Sequence, residues 1–161
     1  MNQPSVYGAK GVASASNTLG ARYGALSWTD SSGNFWLYGG GGFDSTGTAG
    51  EFSDLWEFNP ATKEWTWVNG ADAPNNSAVY APNLFTSCAE GVASASNTPG
   101  LRASAVGWTD TSGNLWLFGG SFDNLAVSSS GLYGDLWEFS PAANEWTWVS
   151  GSCVANQPGI Y

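Results

Sequence analysis

The chain has 161 residues, among them ten Trp, twenty-two Gly and no His, and its thirteen acidic and four basic side chains give a net charge of −9. That length suits one domain. An acidic balance offset only by Lys10, Arg22, Lys63 and Arg102 argues against nucleic acid, which is held mainly by neutralising phosphates, and against anionic membrane surfaces.

No apolar run approaches membrane-spanning length, so no membrane insertion is expected. Met1 leads directly into polar NQPSVYG, so no secretory signal is read here. The Ser/Thr/Asn/Gly-rich, Lys-poor composition nevertheless points to an extracellular or cell-surface protein. Residues 1–20 are polar and without periodicity, yet Gly11–Thr18 (GVASASNT) recurs at Gly91–Thr98, which makes them a defined loop. Ala21–Asp30 predicts one strand of small residues. Ser31–Asn34 predicts a tight turn with Gly33 free to take a positive φ. Phe35–Tyr38 is a continuous apolar strand ended by Gly39–Gly42, and Phe43–Ser53 reads as a loop. Asp54–Phe58 alternates between two faces. Asn59–Thr62 is a Pro turn, and Glu64–Val68 is a strand with Trp65 and Trp67 on one face.

The same order then repeats. Asp110–Gly120 (DTSGNLWLFGG) copies Asp30–Gly40 (DSSGNFWLYGG), Asp135–Pro141 copies Asp54–Pro60, and Glu145–Val149 copies Glu64–Val68. The chain is two copies of one unit of about 80 residues. The expected segments are a loop over 1–20, a four-stranded unit over 21–68, a long loop over 69–100, a second unit over 101–149 and a closing loop over 150–161.

Four consecutive strands joined by tight turns make an antiparallel meander. A sheet apolar on both faces needs like sheets on either side. Each unit resembles a kelch repeat. The motif residues are Arg22 and Arg102 opening the small-residue strand, the glycine pairs Gly39-Gly40 and Gly119-Gly120, then Trp56 with Trp65 and Trp137 with Trp146. The long loops also resemble those of secreted bacterial kelch-like proteins. The aspartate box of sialidase-type propellers is a rival, but Asp30…Gly33…Trp36 is one residue too long for it and leaves the glycine pair without a place. The resemblance implies an all-β fold: a β-propeller of four-stranded antiparallel blades, two per chain.

Closed propellers have about four to eight blades, so two blades leave aromatic faces exposed. The chain begins with NQPSVY and stops with NQPGIY, the same phase of its repeat. Identical chains are therefore expected to assemble head to tail, with three chains (six blades) favoured over four (eight blades), and an open filament as the non-closing outcome. Trp28, Trp36, Trp56, Trp65, Trp67, Trp108, Trp116, Trp137, Trp146 and Trp148 all fall in predicted strands, where packing and assembly are their expected role.

The connections between the second and third strands of each unit, and those between units, share one face, and binding is expected there. Arg22, Arg102, Asp44, Asp123, Tyr80 and Tyr133 are the candidate ligand contacts, and a glycan or peptide is the candidate ligand; Tyr7, Phe85 and Tyr161 are further loop aromatics. In kelch-like modules similarly placed arginines bind acidic ligands. The competing expectation is that each Arg pairs with a nearby acid, Asp44, Asp54, Asp123 or Asp135. Without His there is no general base for Ser or Cys and no zinc set, and no calcium-loop spacing such as DxDxDG occurs, so neither catalysis nor a cofactor is expected. A Cys88–Cys153 bridge is open to the chain if the two come within reach; two unpaired, partly buried thiols are the simpler expectation.

Overall fold

The computed structural model describes residues 3–80 and 88–159. Asn2, Phe85, Ile160 and Tyr161 lie outside them. All regular structure among the described residues is β, in four antiparallel sheets.

The expected strand over Ala21–Asp30 is in fact two, β1 (Arg22–Tyr23) and β2 (Leu26–Thr29), divided at Gly24, whose φ of 65° turns the chain. β2 pairs with β3 (Phe35–Tyr38), whereas β1 pairs with β4 (Gly41–Phe43). Between β3 and β4 the glycine pair moves the chain from one sheet to another. Gly39 and Gly40 have φ of 64° and 85°. A Cβ on Gly39 would lie 2.6 Å from the Arg102 carbonyl oxygen, and one on Gly40 2.6 Å from that of Tyr23. Backbone approaches that close admit only glycine.

The expected loop over 43–53 contains most of a hairpin, β4 with β5 (Ala49–Glu51). Asp44 Oδ1 closes its turn by accepting from the N–H groups of Thr46 and Thr48, both at 2.8 Å. β6 (Leu55–Asn59) and β7 (Glu64–Asn69) complete the first large sheet, ordered β2-β3-β6-β7. The second repeat begins with β8 (Ala93–Ser94), inside the segment expected to be loop, and continues with β9 (Val106–Thr109) and β10 (Leu115–Phe118). The hairpin β11 (Ser121–Asn124) and β12 (Ser129–Leu132) follows, then β13 (Asp135–Ser140) and β14 (Glu145–Gly151). Its large sheet is ordered β8-β14-β13-β10-β9.

The GVASASNT motif is what places the polar loops. Asn17 donates from Nδ2 to the carbonyls of Val12 (3.1 Å) and Trp65 (2.8 Å), and Asn97 donates likewise to Val92 and Trp146. Gly11 N–H donates to Trp67 O, and Gly91 N–H to Trp148 O. Each motif therefore runs along the outer strand of its sheet and satisfies backbone groups that an open edge would leave unpaired.

The two large sheets share one core. Trp28, Trp36, Tyr38 and Leu55 of the first meet Leu115, Leu117, Phe139 and Trp146 of the second. Trp36 lies 6.0 Å from Phe139 and Tyr38 lies 5.4 Å, edge-on, from Trp146. Trp28 Nε1 donates across the join to Trp116 O at 2.9 Å. Unlike faces of the repeat are thus apposed: β3 turns Trp36 and Tyr38 inward, and β10 turns inward the alternate pair, Leu115 and Leu117.

Candidate functional site

Each repeat builds a buried polar cluster around its Arg. Arg22 forks onto Asp54, with Nη1–Oδ1 at 2.8 Å and Nη2–Oδ2 at 3.1 Å, and also donates to Gly39 O. Tyr7 Oη (2.6 Å) and Trp56 Nε1 (2.7 Å) donate to Asp54 Oδ2. The second repeat reproduces this with Arg102, Asp135, Gly119, Tyr80 and Trp137. Arg102 also donates to the Pro99 carbonyl, and its guanidinium lies 4.1 Å from the centre of the Tyr133 ring. Of the four acids expected to pair with the arginines, the structure selects Asp54 and Asp135.

Burial alone would raise the Asp135 carboxyl, but hydrogen bonds and charge from Arg102, with Trp137 and Tyr80, outweigh it and hold Asp135 below the usual carboxylate range. Burial likewise opposes charge on Arg102, and Asp135 overcomes it. The Tyr80 hydroxyl is pushed up, first by burial and then by the Asp135 charge. A buried, bidentate ion pair of this kind pins a loop to a strand, although Nε of each arginine is left without a hydrogen-bond partner. Neither carboxylate turns toward solvent: both Asp side chains are fully buried.

The remaining candidates are dispersed. Asp44 is committed to its own turn, and Asn124, not Asp123, occupies the equivalent place, using Oδ1 to accept from Ala126 N–H. Tyr80 and Tyr133 both lie against the Arg102 cluster. Asp123 stands at the junction of the repeats, where its N–H donates to Glu51 Oε2 at 3.0 Å. Ala21, Tyr23, Phe43, Glu51, Asp123 and Leu125 border a cavity of about 350 Å³ there, and Arg22 adds to its wall. Glu51 is buried, and that burial, reinforced by the Asp123 charge, raises its carboxyl against the opposing Asp123 N–H bond. Sequence reasoning passed over Glu51. The available signal was the mismatch between repeats, because Leu132 occupies the same hairpin position: Asn75 N–H donates to Glu51 O as Asn156 N–H donates to Leu132 O.

The acids expected in tight turns are found there. Asp30 Oδ1 accepts from Ser32 and Asn34 N–H, and Oδ2 from Trp36 Nε1; Asp110 does the same with Ser112, Asn114 and Trp116. They are turn anchors.

The tryptophans divide by position. Trp28, Trp36, Trp56, Trp137, Trp146 and Trp148 are buried. Trp65, Trp67 and Trp116 are half-buried, and Trp108 is 47% exposed. The last group, except Trp67, belongs to the two outward faces. One carries Phe35, Leu37, Phe58 and Trp65, and the other carries Val106, Trp108, Trp116 and Phe118. Trp67 is instead covered by Tyr7 at 5.1 Å and Lys10 at 4.4 Å.

Cys88 and Cys153 are disulfide-bonded, with Cα atoms 6.4 Å apart, in place of the two thiols that were the simpler expectation. The segment entering the second repeat and the segment leaving it are neighbours only after the sheet has formed, so spacing along the chain gave no reason to join them. No cluster of three His, Cys, Asp or Glu able to hold a metal occurs among the described residues.

These features define an all-β repeat protein with two large antiparallel sheets, two smaller ones and paired polar clusters. No protein-family model and no curated protein matches the chain. A solved structure, titled "Structure of YjhT", is similar with a TM-score of 0.55 at 19% identity, over 83% of this chain. The chain spans only 39% of that protein's length. At that identity the likeness bears on the fold, and it agrees with the all-β architecture.

Proposed function

We propose that the chain is a non-catalytic, self-assembling scaffold or extracellular structural protein, with each large sheet acting as one kelch-like blade of a β-propeller. Copies join head to tail; a trimer of six blades is favoured over a tetramer of eight, and a filament results if the ring fails to close. The observation that carries this reading is the pair of outward apolar faces, where Phe35, Trp108 and Phe118 are about half exposed. Covering one such ring is worth roughly 1–3 kcal/mol, and contiguous patches of this kind mark interaction sites. The disulfide supports an oxidising, extracellular setting. Light scattering on the dilute chain tests the reading. A mass of several chains is expected, and a mass of one chain rejects it.

The cavity beside Glu51 favours a second reading, a carbohydrate- or peptide-binding module using the long-loop face. Aromatic and aliphatic walls around a buried carboxylate suit a ligand with hydroxyl or amide donors. Glycan- and peptide-array binding lost on Tyr23→Ala and Glu51→Leu, with oligomeric mass unchanged, would support it. Arrays that remain blank would reject it.

A further inference from the structure

The two outward faces are the same two surfaces that the chain already joins internally. Within the chain, the face of the first sheet bearing Trp28, Trp36 and Tyr38 packs on the face of the second bearing Leu115, Leu117, Phe139 and Trp146. At the far end of the second sheet, Trp108, Trp116 and Phe118 hold the places of Trp28, Trp36 and Tyr38. At the near end of the first sheet, Phe35, Leu37, Phe58 and Trp65 hold the places of Leu115, Leu117, Phe139 and Trp146. The registers confirm the correspondence: Trp28 pairs with Trp36 as Trp108 pairs with Trp116, and Phe58 with Trp65 as Phe139 with Trp146. Each surface is closed in the middle of the molecule and open at its end.

Resting on the assembly reading above, we infer that a second copy of this chain docks on the Trp108–Trp116–Phe118 face in the register that joins the two sheets internally. The internal join then specifies the contacts. Trp28 Nε1 to Trp116 O becomes Trp108 Nε1 to the second copy's Trp36 O. Gly40 N–H to Arg102 O, 2.9 Å, becomes Gly120 N–H to the second copy's Arg22 O. Phe118 lies on the second copy's Trp65, as Tyr38 lies on Trp146, and Trp116 lies on its Phe58, as Trp36 lies on Phe139.

Two features favour this contact over a symmetric one. Glu138 pairs with Trp116 across the strands and shares its face, so joining two such faces would bring like carboxylates onto one apolar contact. The opposite face carries no charge at Phe35, Leu37, Phe58 or Trp65. The internal join has already shown that a glutamate at this place, Glu57, fits against the uncharged face: it accepts from Asn34 Nδ2 at 2.8 Å.

The test places photoreactive benzoylphenylalanine at the position of Phe118 and mixes light with nitrogen-15-labelled chains before irradiation. The expected product joins that position to residues 64–69 of a chain bearing the other label. Crosslinks between two copies of residues 115–118, from an assembly of several chains, would overturn the register and leave the assembly standing. A single-chain mass with no crosslink between labels would overturn both. In parallel, Trp108→Arg and Phe35→Arg are each expected to weaken association roughly thirtyfold or more, with the circular dichroism of the fold retained because both positions are exposed. Mixed one to one, they are expected to give the mass of two chains and nothing larger, since the mixture holds one intact surface of each kind. Continued single-chain mass in that mixture would overturn the heterologous contact.

Discussion

Tyr38 and Phe118 occupy the same place in the two repeats, yet Tyr38 is sealed and donates its hydroxyl to Gly100 O at 2.9 Å, whereas Phe118 is 46% exposed. The hydroxyl is present where the neighbouring repeat supplies an acceptor. Under the proposed assembly a second copy would supply the acceptor at Phe118, and there the ring alone remains.

Phe118→Tyr should therefore tighten association, because the added hydroxyl would reach the carbonyl of Gly20 in a second copy, as Tyr38 reaches that of Gly100. One net hydrogen bond is worth about 0.5–1.5 kcal/mol, or roughly a two- to twelvefold lower dissociation constant. Sedimentation equilibrium of the two chains checks it.

Acid should remove stability through Asp135. Its carboxyl is lowered in the folded state, burial notwithstanding, by Arg102, Trp137 and Tyr80. Its contribution is therefore complete above the ordinary Asp range and is lost as pH falls through the lower folded value. Urea unfolding between pH 6 and pH 2 should show stability declining on the acid side. Asp135→Asn should lower stability by about 3–5 kcal/mol at neutral pH, since it leaves Arg102 buried without its counter-charge, and should flatten that acid limb.

Glu51 should behave in the opposite sense. Its carboxyl is raised by burial and by the charge of Asp123, so the ionised form costs stability that appears as pH rises past the ordinary Glu range. Glu51→Leu, which copies Leu132, should raise the melting temperature at pH 7 and raise it less at pH 4, measured by differential scanning calorimetry.

Reduction of Cys88–Cys153 should destabilise the second repeat. A loop spanning 65 residues contributes about 4 kcal/mol by chain entropy. Denaturant unfolding with and without reductant should differ by up to that amount, and Cys88→Ser should reproduce the reduced curve without reductant.

Much of the fold is legible in the repeats. The strands Phe35–Tyr38, Leu55–Asn59 and Glu64–Asn69 and their copies follow from apolar runs bounded by turn residues, and Asp30 and Asp110 sit in the turns that Gly33 and Gly113 permit. The hairpins β4–β5 and β11–β12 escaped because Gly41-Gly42-Phe43 and Ser129-Ser130-Gly131 carry no alternating pattern. Their pairing is made by backbone groups, and it depends on where the glycine pair delivers the chain. Glu51 and Asp123, far apart in sequence, became neighbours for the same reason.

By itself the sequence determined that the chain is two copies of one β unit, since periodicity, turn chemistry and repetition are local properties that survive without a neighbour. Only the tertiary structure decided which copy of each residue is buried. Trp36 and Trp116, or Leu37 and Leu117, are alike in local context, and they differ in burial because one face of each sheet meets the other sheet and one does not. Burial is a property of what lies opposite a side chain, and closely similar local sequence does not encode that.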